Sequence, residues 1–511
     1  MQTDDQQDVI IFLSRQPVQG DDAAAERIDT HISHVFLAGD RALKLKRAVR
    51  LPYADFSSPE KRLAACETEL RLNRRTAPEL YLRVRRITEG PEGPEFDGPG
   101  PLRDAVVEMV RFDQAALFDA MAARGALPPA LLDALGREVA AFHAGAPVRH
   151  VAGGAENIRG VLDVNLAGFR QSGVFAETTV AALDARFREA LARHAPLLDA
   201  REAAGEVRRC HGDLHLRNIC LYQGRPRLFD CLEFNETLAV VDVLYDLAFL
   251  VMDLWHRGMA PAASRVANRY LDTGQAADGF CLMPFFVALR AAVRAHVTAT
   301  QAATASAARA GLEAEAQSYF ALARQALDPP AARLVAVGGL SGTGKSTLAG
   351  LLAPHLGAPP GARVLGSDRI RKALHGVDPD TKLPPEAYST EVSARVYAEL
   401  ASRAEAQLAA GMPVIAEAVH DRAEDRARIE AVARAAGVPF TGLWLTAPAE
   451  HLVNRLSRRD PGASDADAEV LHAQLARSPE ATGWHDVSTD CPVDESLAAA
   501  RAAIEQGLTP A

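Results

Sequence analysis

Cysteine is scarce in this chain: six residues, at positions 66, 210, 220, 231, 281 and 491, among 511. None form Cys-x-x-Cys and no zinc-type spacing occurs, so neither a disulfide framework nor a zinc site is expected. Buried reduced thiols in a cytoplasmic protein are the simple reading. Basic residues are in deficit. Lys and Arg number 56 against 66 Asp and Glu, a net charge of −10, which argues against a protein built to coat nucleic acid. No apolar stretch of membrane-spanning length is evident. The most apolar region, 244–255, is short and holds Asp246 and Asp253. The opening residues, Met1-Gln-Thr-Asp-Asp-Gln-Gln-Asp, carry no basic segment, so no secretory leader is expected. No internal repeat is visible.

At this length, with 48% of residues apolar, two cored domains are the default and three are possible. Residues 34–46 read as strand, Gly-Asp turn, strand. Residues 59–75 read as a helix, 91–101 as a Gly/Pro-rich turn and 105–110 as a strand. The pattern from 113 to 205 is mostly helical. Residues 218–230 read as two short strands around Gln223-Gly224. Helices return from 240 to 327, including the Ala-rich run 291–310. Asp328-Pro-Pro then marks a boundary, giving expected domains 1–327 and 331–511. Beyond it, strands at 334–337, 363–365, 414–416 and 442–445 alternate with helices. That alternation predicts a parallel sheet covered by helices.

Two stretches carry chemistry. The first is His211-Gly-Asp213-Leu-His215-Leu-Arg-Asn218, followed after the short hairpin by Asp230. An Asp followed five residues later by an Asn is the spacing of a kinase catalytic loop. The Asp orients the acceptor hydroxyl or takes its proton. The Asn turns back to hold a metal ion on the nucleotide phosphates, and the hairpin delivers Asp230 as a second metal ligand. Phosphoryl transfer is mostly positioning and charge neutralisation, so these few groups suffice. Such residues also cap helices and turns; the joint pattern with an upstream Lys44 favours the chemical reading. For His143 and His215, packing or loop bracing is expected.

The second is Gly339-Leu-Ser-Gly342-Thr-Gly344-Lys345-Ser346-Thr347, which has full P-loop spacing between an apolar strand and a helix start. The glycines let backbone N–H groups wrap phosphates, and the helix N-terminus adds a favourable dipole. Lys345 reaches the β/γ-phosphates of ATP. Ser346 holds Mg2+, with Thr347 beside it at the nucleotide. Glu417, ending the strand Val-Ile-Ala-Glu, fits the acid that accompanies a P-loop metal, one methylene longer than the usual Asp, or an acid that activates or positions the substrate. Arg455, Arg458 and Arg459 share a helix face and fit a mobile lid over the γ-phosphate, or a plain solvated face.

The wording His-Gly-Asp-Leu-His-x-x-Asn resembles the aminoglycoside-phosphotransferase and choline-kinase branch of the protein-kinase-like fold, over much of 30–300. That resemblance implies Lys44 as the grip on the α/β-phosphates and Glu67 as its helix partner, with Glu69 the alternative. It implies residues 108–111, centred on Met109, as the hinge receiving adenine, and Asp246 as a buried brace of the catalytic loop. Two departures stand out: His31-Ile-Ser-His-Val-Phe replaces a glycine-rich phosphate loop, and Cys231 and Glu233 follow Asp230. An acidic cleft for a cationic acceptor would need clustered carboxylates, for which Glu233, Glu236 and Asp242 are candidates. The element Ser367-Asp368-Arg-Ile-Arg371 resembles small P-loop kinases such as gluconate kinase, polynucleotide 5′-kinases and zeta-toxin-like kinases. There Asp368 would contact the acceptor hydroxyl and Arg371 would help hold substrate. An N-cap role for Ser367 or Asp368 is compatible with it.

The fold class expected is a two-domain α/β and α+β protein: an N-terminal protein-kinase-like (aminoglycoside phosphotransferase) fold and a C-terminal P-loop fold. The whole chain resembles fused bacterial proteins of that kind. Three functions remain open: a kinase for small-molecule hydroxyls with two Mg·ATP sites, a single kinase with a regulatory second nucleotide site, or an ATP-driven switch. The oligomeric state is left open.

Overall fold

The computed structural model describes residues 5–16, 25–51, 54–274, 277–304, 307–458, 464–476 and 482–506. By its contacts the chain divides into two units, Met1–Asn157 with Ala195–Asp253, and Ile158–His194 with Leu254–Ala511.

The first unit opens with a six-stranded antiparallel sheet. Its order is Glu26–Asp29, Ser33–Ala38, Arg41–Lys46, Leu102–Val110, Tyr81–Gly90, Gly93–Phe96. Side chains alternate across a strand. Leu43 and Leu45 therefore join Val9, Leu13 and Phe36 in one core. Ala42 packs with Cys66 and Ala77 on the other face, and Lys44 and Lys46 share that face by register. The helix Pro59–Asn73 begins with Ser58 accepting from the Lys61 amide and proline in its first turn. It buries Arg62, Cys66, Glu69, Leu72 and Asn73, a stripe at three- and four-residue spacing.

Below this lie the helix Pro129–Gly145, the ribbon Val207–Arg209 with Val240–Asp242, and the hairpin Ile219–Tyr222 with Arg225–Leu228. Gln223 (φ 50°) and Gly224 (φ 76°) close the hairpin with two left-handed residues, the turn that matches strand twist. The helix Val243–His256 follows the ribbon and carries Asp246 and Asp253.

The second unit holds a five-stranded sheet in the order Arg363–Gly366, Val414–Glu417, Leu334–Gly339, Phe440–Thr446, His485–Ser488. Every pairing is parallel. Helices Lys345–Leu352 and Val493–Gln506 cover one face. Helices Thr390–Ala409 and Ala423–Ala436 cover the other.

Several sequence expectations need correcting. The stretch 91–101 is not only a turn: Gly93–Phe96 pairs with Tyr81–Gly90, a strand the sequence reading did not anticipate. The helical region begins after a strand, Val240–Asp242. The segment Ala277–Ala303 is long and apolar enough to cross a membrane by length and composition, with 78% of its apolar window buried inside the protein. The contact division also falls away from Asp328-Pro-Pro. Helix Ala260–Leu271 packs on Lys345–Leu352 and Ala353–His355, and the turn Ala277–Leu282 packs on Thr390–Ala409. Helices from 254 to 327 therefore group with the P-loop sheet.

Candidate active sites

In the first unit, Lys44 Nζ lies 2.8 Å from Glu69 Oε1 and also binds the Asp230 carboxylate. Lys46 Nζ lies 2.5 Å from the other Glu69 oxygen and binds Glu233. Burial alone would push the Lys44 ammonium down, but Asp230 and Glu69 outweigh it and lift it well above the ordinary lysine range. Burial likewise pushes the Glu69 carboxyl up, and the two lysines overcome it, holding it at about 2. Two lysines thus face three carboxylates, and burial pushes the Glu233 carboxyl up despite Lys46. Asp230, 38% exposed, is the most accessible of the three carboxylates, while Glu69 and Glu233 are buried.

Glu69, not Glu67, is the partner of Lys44. The two positions differ by about 200° around a helix, so Glu67 is exposed on the opposite side. Met109 also departs from expectation. It is a ladder residue between Ala42 and Tyr81, and the next two backbone donors are taken, Val110 by Leu80 O and Arg111 by Asp40 O. The segment 108–111 is therefore no free strap. A cavity of about 410 Å³ lies just beyond it, lined by Gly39, Asp40, Arg111, Phe112, Asp113 and Gln114.

The loop 211–218 is braced from below. Asp246 accepts from the amides of His211 (3.1 Å) and Gly212 (2.9 Å), and from His143 Nε2 at 3.1 Å. Asp253 accepts from the Leu216 amide at 3.0 Å. Asn218 Nδ2 donates to Asp213 O at 2.9 Å and to Asp213 Oδ2 at 3.0 Å. The amide oxygen of Asn218 is then the atom it can offer a cation. Asp213 is 42% exposed, accessible to an acceptor. Asp230 has φ 62°, a left-handed conformation uncommon outside glycine and costly to hold. Tyr81 OH accepts its amide at 3.1 Å, and Asn73 Oδ1 accepts the next amide, Cys231 N, at 2.8 Å.

Glu233, Glu236 and Asp242 do not form an acidic cleft. Glu233 is held by Lys46, Asp242 is buried in a two-pronged pair with Arg201 (2.8 and 2.9 Å), and Glu236 lies 3.7 Å from Arg149.

In the second unit the P-loop follows the central strand, the position where open parallel sheets bind ligands. Gly339, Gly342 and Gly344 have φ of 139°, 86° and 84°. A Cβ on Gly339 would lie 2.7 Å from Leu445 O, so a side chain there is excluded by space as well as conformation. Lys345 Nζ donates to Leu340 O at 3.0 Å, and Ser346 Oγ donates to Glu417 Oε1 at 2.9 Å. Thr347 is exposed on the first helical turn. Burial pushes the Glu417 carboxyl up, Asp368 adds to it, and Lys345 opposes it. These four groups therefore share one electrostatic neighbourhood.

Arg371 is buried, donating to Ala387 O at 2.7 Å and stacking 4.8 Å over Tyr388. Its neighbour Lys372 pairs with Asp465 at 2.7 Å, and Asp465 also accepts from Tyr388 and from the Leu383 amide. Sequence reasoning passed over that cluster. Arg455 donates to Thr489 O at 2.5 Å. Its helix ends at Ser457, so Arg458 sits at the cap and not on the shared face; Arg459 lies outside the described residues.

Two family descriptions match. "Phosphotransferase enzyme family" covers residues 33–281, and "AAA domain" covers 334–480. The fold and sites thus define a fusion of an aminoglycoside-phosphotransferase-like domain and a P-loop kinase domain. Uncharacterized protein Rv2004c of Mycobacterium tuberculosis is 30% identical over 482 residues, covering 92% of this chain and 93% of that protein. The chain belongs to the same family of two-domain proteins as that relative. The adenylyl-sulfate kinase of Myxococcus xanthus is 33% identical over 119 residues, covering 23% of this chain and 59% of that enzyme. A choline/ethanolamine kinase family protein from Mesorhizobium loti is similar at 18% identity and a TM-score of 0.39, covering 60% of this chain and 89% of that one.

Proposed function

We propose that the chain is an ATP-dependent phosphotransferase acting on small-molecule hydroxyl groups, with a separate Mg·ATP site in each domain. The observation that carries this reading is the paired arrangement of metal-type donors with a lysine at both sites. In the first, Asn218 and Asp230 stand with Lys44 and Asp213. In the second, Ser346 and Glu417 stand with Lys345 and Asp368.

The donor sets suit Mg2+, a hard cation that takes oxygen ligands and keeps waters. Asn218 and Asp230 would hold it in the first site, and Ser346 with Glu417 in the second; bound there, it would neutralise phosphate charge. Lys44, released from Asp230, grips the nucleotide phosphates. Asp213 orients the acceptor hydroxyl and takes its proton as the oxygen attacks the γ-phosphorus and the bond to the bridging oxygen breaks, releasing ADP. In the second site Lys345 leaves Leu340 O for the β/γ-phosphates, and Asp368 orients the acceptor.

The test is a coupled nucleotide-consumption screen of hydroxyl metabolites on the full chain, run with Asp213→Ala and Lys345→Ala variants. Each acceptor found should depend on one variant and not the other. Loss of all turnover in both variants for the same acceptor would replace two sites by one site with a regulatory partner.

A further inference from the structure

Helix Ala260–Leu271 falls within the phosphotransferase match, 33–281, yet belongs to the P-loop unit by contact. Two residues at its C-terminal end, Asn268 and Asp272, meet the strand Arg363–Gly366. Asn268 Nδ2 donates to Ala362 O at 3.2 Å. Its Oδ1 accepts from Val364 N at 2.8 Å and from Arg363 Nη1 at 2.9 Å. One buried side chain therefore occupies backbone groups along the open edge of the sheet, where an unpaired strand needs cover.

Asp272 gathers charge at the same corner. It accepts from Arg363 Nη2 at 2.8 Å, pairs with Arg269, and lies 3.6 Å from Arg369. Arg363 and Asp272 are 5% and 10% exposed. Removing one partner of so buried an assembly leaves the others uncompensated. Arg369 stands one residue beyond Asp368 and two before Arg371 on the helix Ser367–Leu374. Its charge is also felt at Glu417, where it opposes the upward push of burial. Asp272 thus holds a guanidinium on the same helix as Asp368.

We propose that Asn268 and Asp272 are positioning residues of the P-loop site. From a helix of the phosphotransferase region they fix the strand–helix corner 363–371, and with it the orientation of Asp368. This rests on the reading of Asp368 as the acceptor-side acid. The corner is held at three points: the Ala362 carbonyl, the Val364 amide and the buried Arg363 guanidinium. Fixing an acid to a fraction of an ångström is what an oriented phosphoryl acceptor requires. The P-loop domain alone would lack this hold, because Asn268 and Asp272 both lie before residue 328.

The experiment is amide hydrogen exchange on the full-length protein, which reads the corner whether or not any transfer occurs. Asp272→Asn should lower protection across 363–374 at least tenfold, while the strands Leu334–Gly339 and Val414–Glu417 keep theirs. Asp272→Glu should restore most of it, since it returns the charge; a merely space-filling role predicts the reverse, with Asn tolerated better than Glu. Arg369→Gln, a gentler change at a partly exposed side chain, should lower protection in the same segment. It should add little when combined with Asp272→Asn, and it serves alone if Asp272→Asn does not fold. The proposal is overturned if 363–374 keeps wild-type protection in both single variants, or if the loss spreads evenly over the whole sheet. Failure of the acceptor screen with a positive exchange result would sink the functional reading of Asp368 and leave the clamp standing.

Discussion

The two candidate sites are built in opposite ways. The P-loop site takes its glycines, Lys345 and Ser346 from one run of eight residues, and only Glu417 and Asp368 come from elsewhere. The phosphotransferase site is assembled from four separated segments: Lys44 and Lys46 on a strand, Glu69 on a helix, Asp213 and Asn218 on a loop, Asp230 and Glu233 after a hairpin. The first kind is set by local backbone conformation. The second is held by buried charges that neutralise one another. A local site fails residue by residue, whereas a charge-assembled site fails as a unit, because each lost partner strands another.

That contrast can be sharpened by experiment, beginning with the largest effect. Asp213→Asn should cut transfer by the first site about a thousandfold, the scale of a lost general base, while Mg·ATP affinity measured by titration stays near wild type. Asp230→Ala should reverse that pattern by weakening Mg·ATP. If Asp213→Asn also loses nucleotide, the division of roles in the loop is wrong.

Next, Lys46→Met should destabilise the first unit by about 3–5 kcal/mol, the cost of leaving buried carboxylates unpaired. Calorimetry should show one transition moving down and the other staying. Equal movement of both would deny that the charge network is local to its unit. In the P-loop, Lys345→Ala should remove about 3 kcal/mol of transition-state stabilisation, roughly a hundredfold in rate, with little change in melting temperature. A large fall in melting temperature there would erase the contrast.

The smallest effect is with pH. Burial raises the Asp272 carboxyl, and Arg363, Arg269 and Arg369 more than reverse that, so its folded pKa lies below the ordinary value. A depressed acid contributes stability that is complete above the unfolded pKa, near about 3.9, and is lost as pH falls towards the folded one. The melting gap between wild type and Asp272→Asn should be steady from neutral pH down to about 5 and narrow below about 4. A gap that widens in acid would reverse the assigned sign.

Legibility in the sequence followed the same contrast. The P-loop and the catalytic loop were readable because their chemistry fixes short spacings, and four of five parallel strands were readable as apolar runs beside turn signals. His485–Ser488 was not, since His-Asp-Val-Ser buries only Val487 at a sheet edge. Glu69 could have been chosen over Glu67 from the three-residue spacing Cys66, Glu69, Leu72. Lys46 carried a signal too, because Lys-x-Lys on a strand puts both ammonium groups on one face. Its pairing with Glu233 spans 187 positions, and no local pattern encodes such a distance. The hold of Asn268 and Asp272 on Arg363 was hidden for the same reason, and for one more: a Pro-Pro boundary in sequence invites a division that the contacts do not follow.

The interleaving of the two units also bears on how the chain is made. Residues 158–194 emerge from the ribosome early but belong to a unit whose other part starts at 254 and whose last strand ends at Ser488. Domains otherwise tend to fold in order of synthesis. Here the first unit can close once Asp253 has appeared, while the helical segment spliced into it must wait, apolar face uncovered, until the helices Met283–Thr304 and Arg309–Ala326 arrive, since Phe169, Phe175 and Phe187 pack on Phe285, His296 and Phe320. A ribosome stalled between those points should display a finished catalytic loop beside an unfinished neighbour, and a chaperone would find its binding surface on residues 158–194.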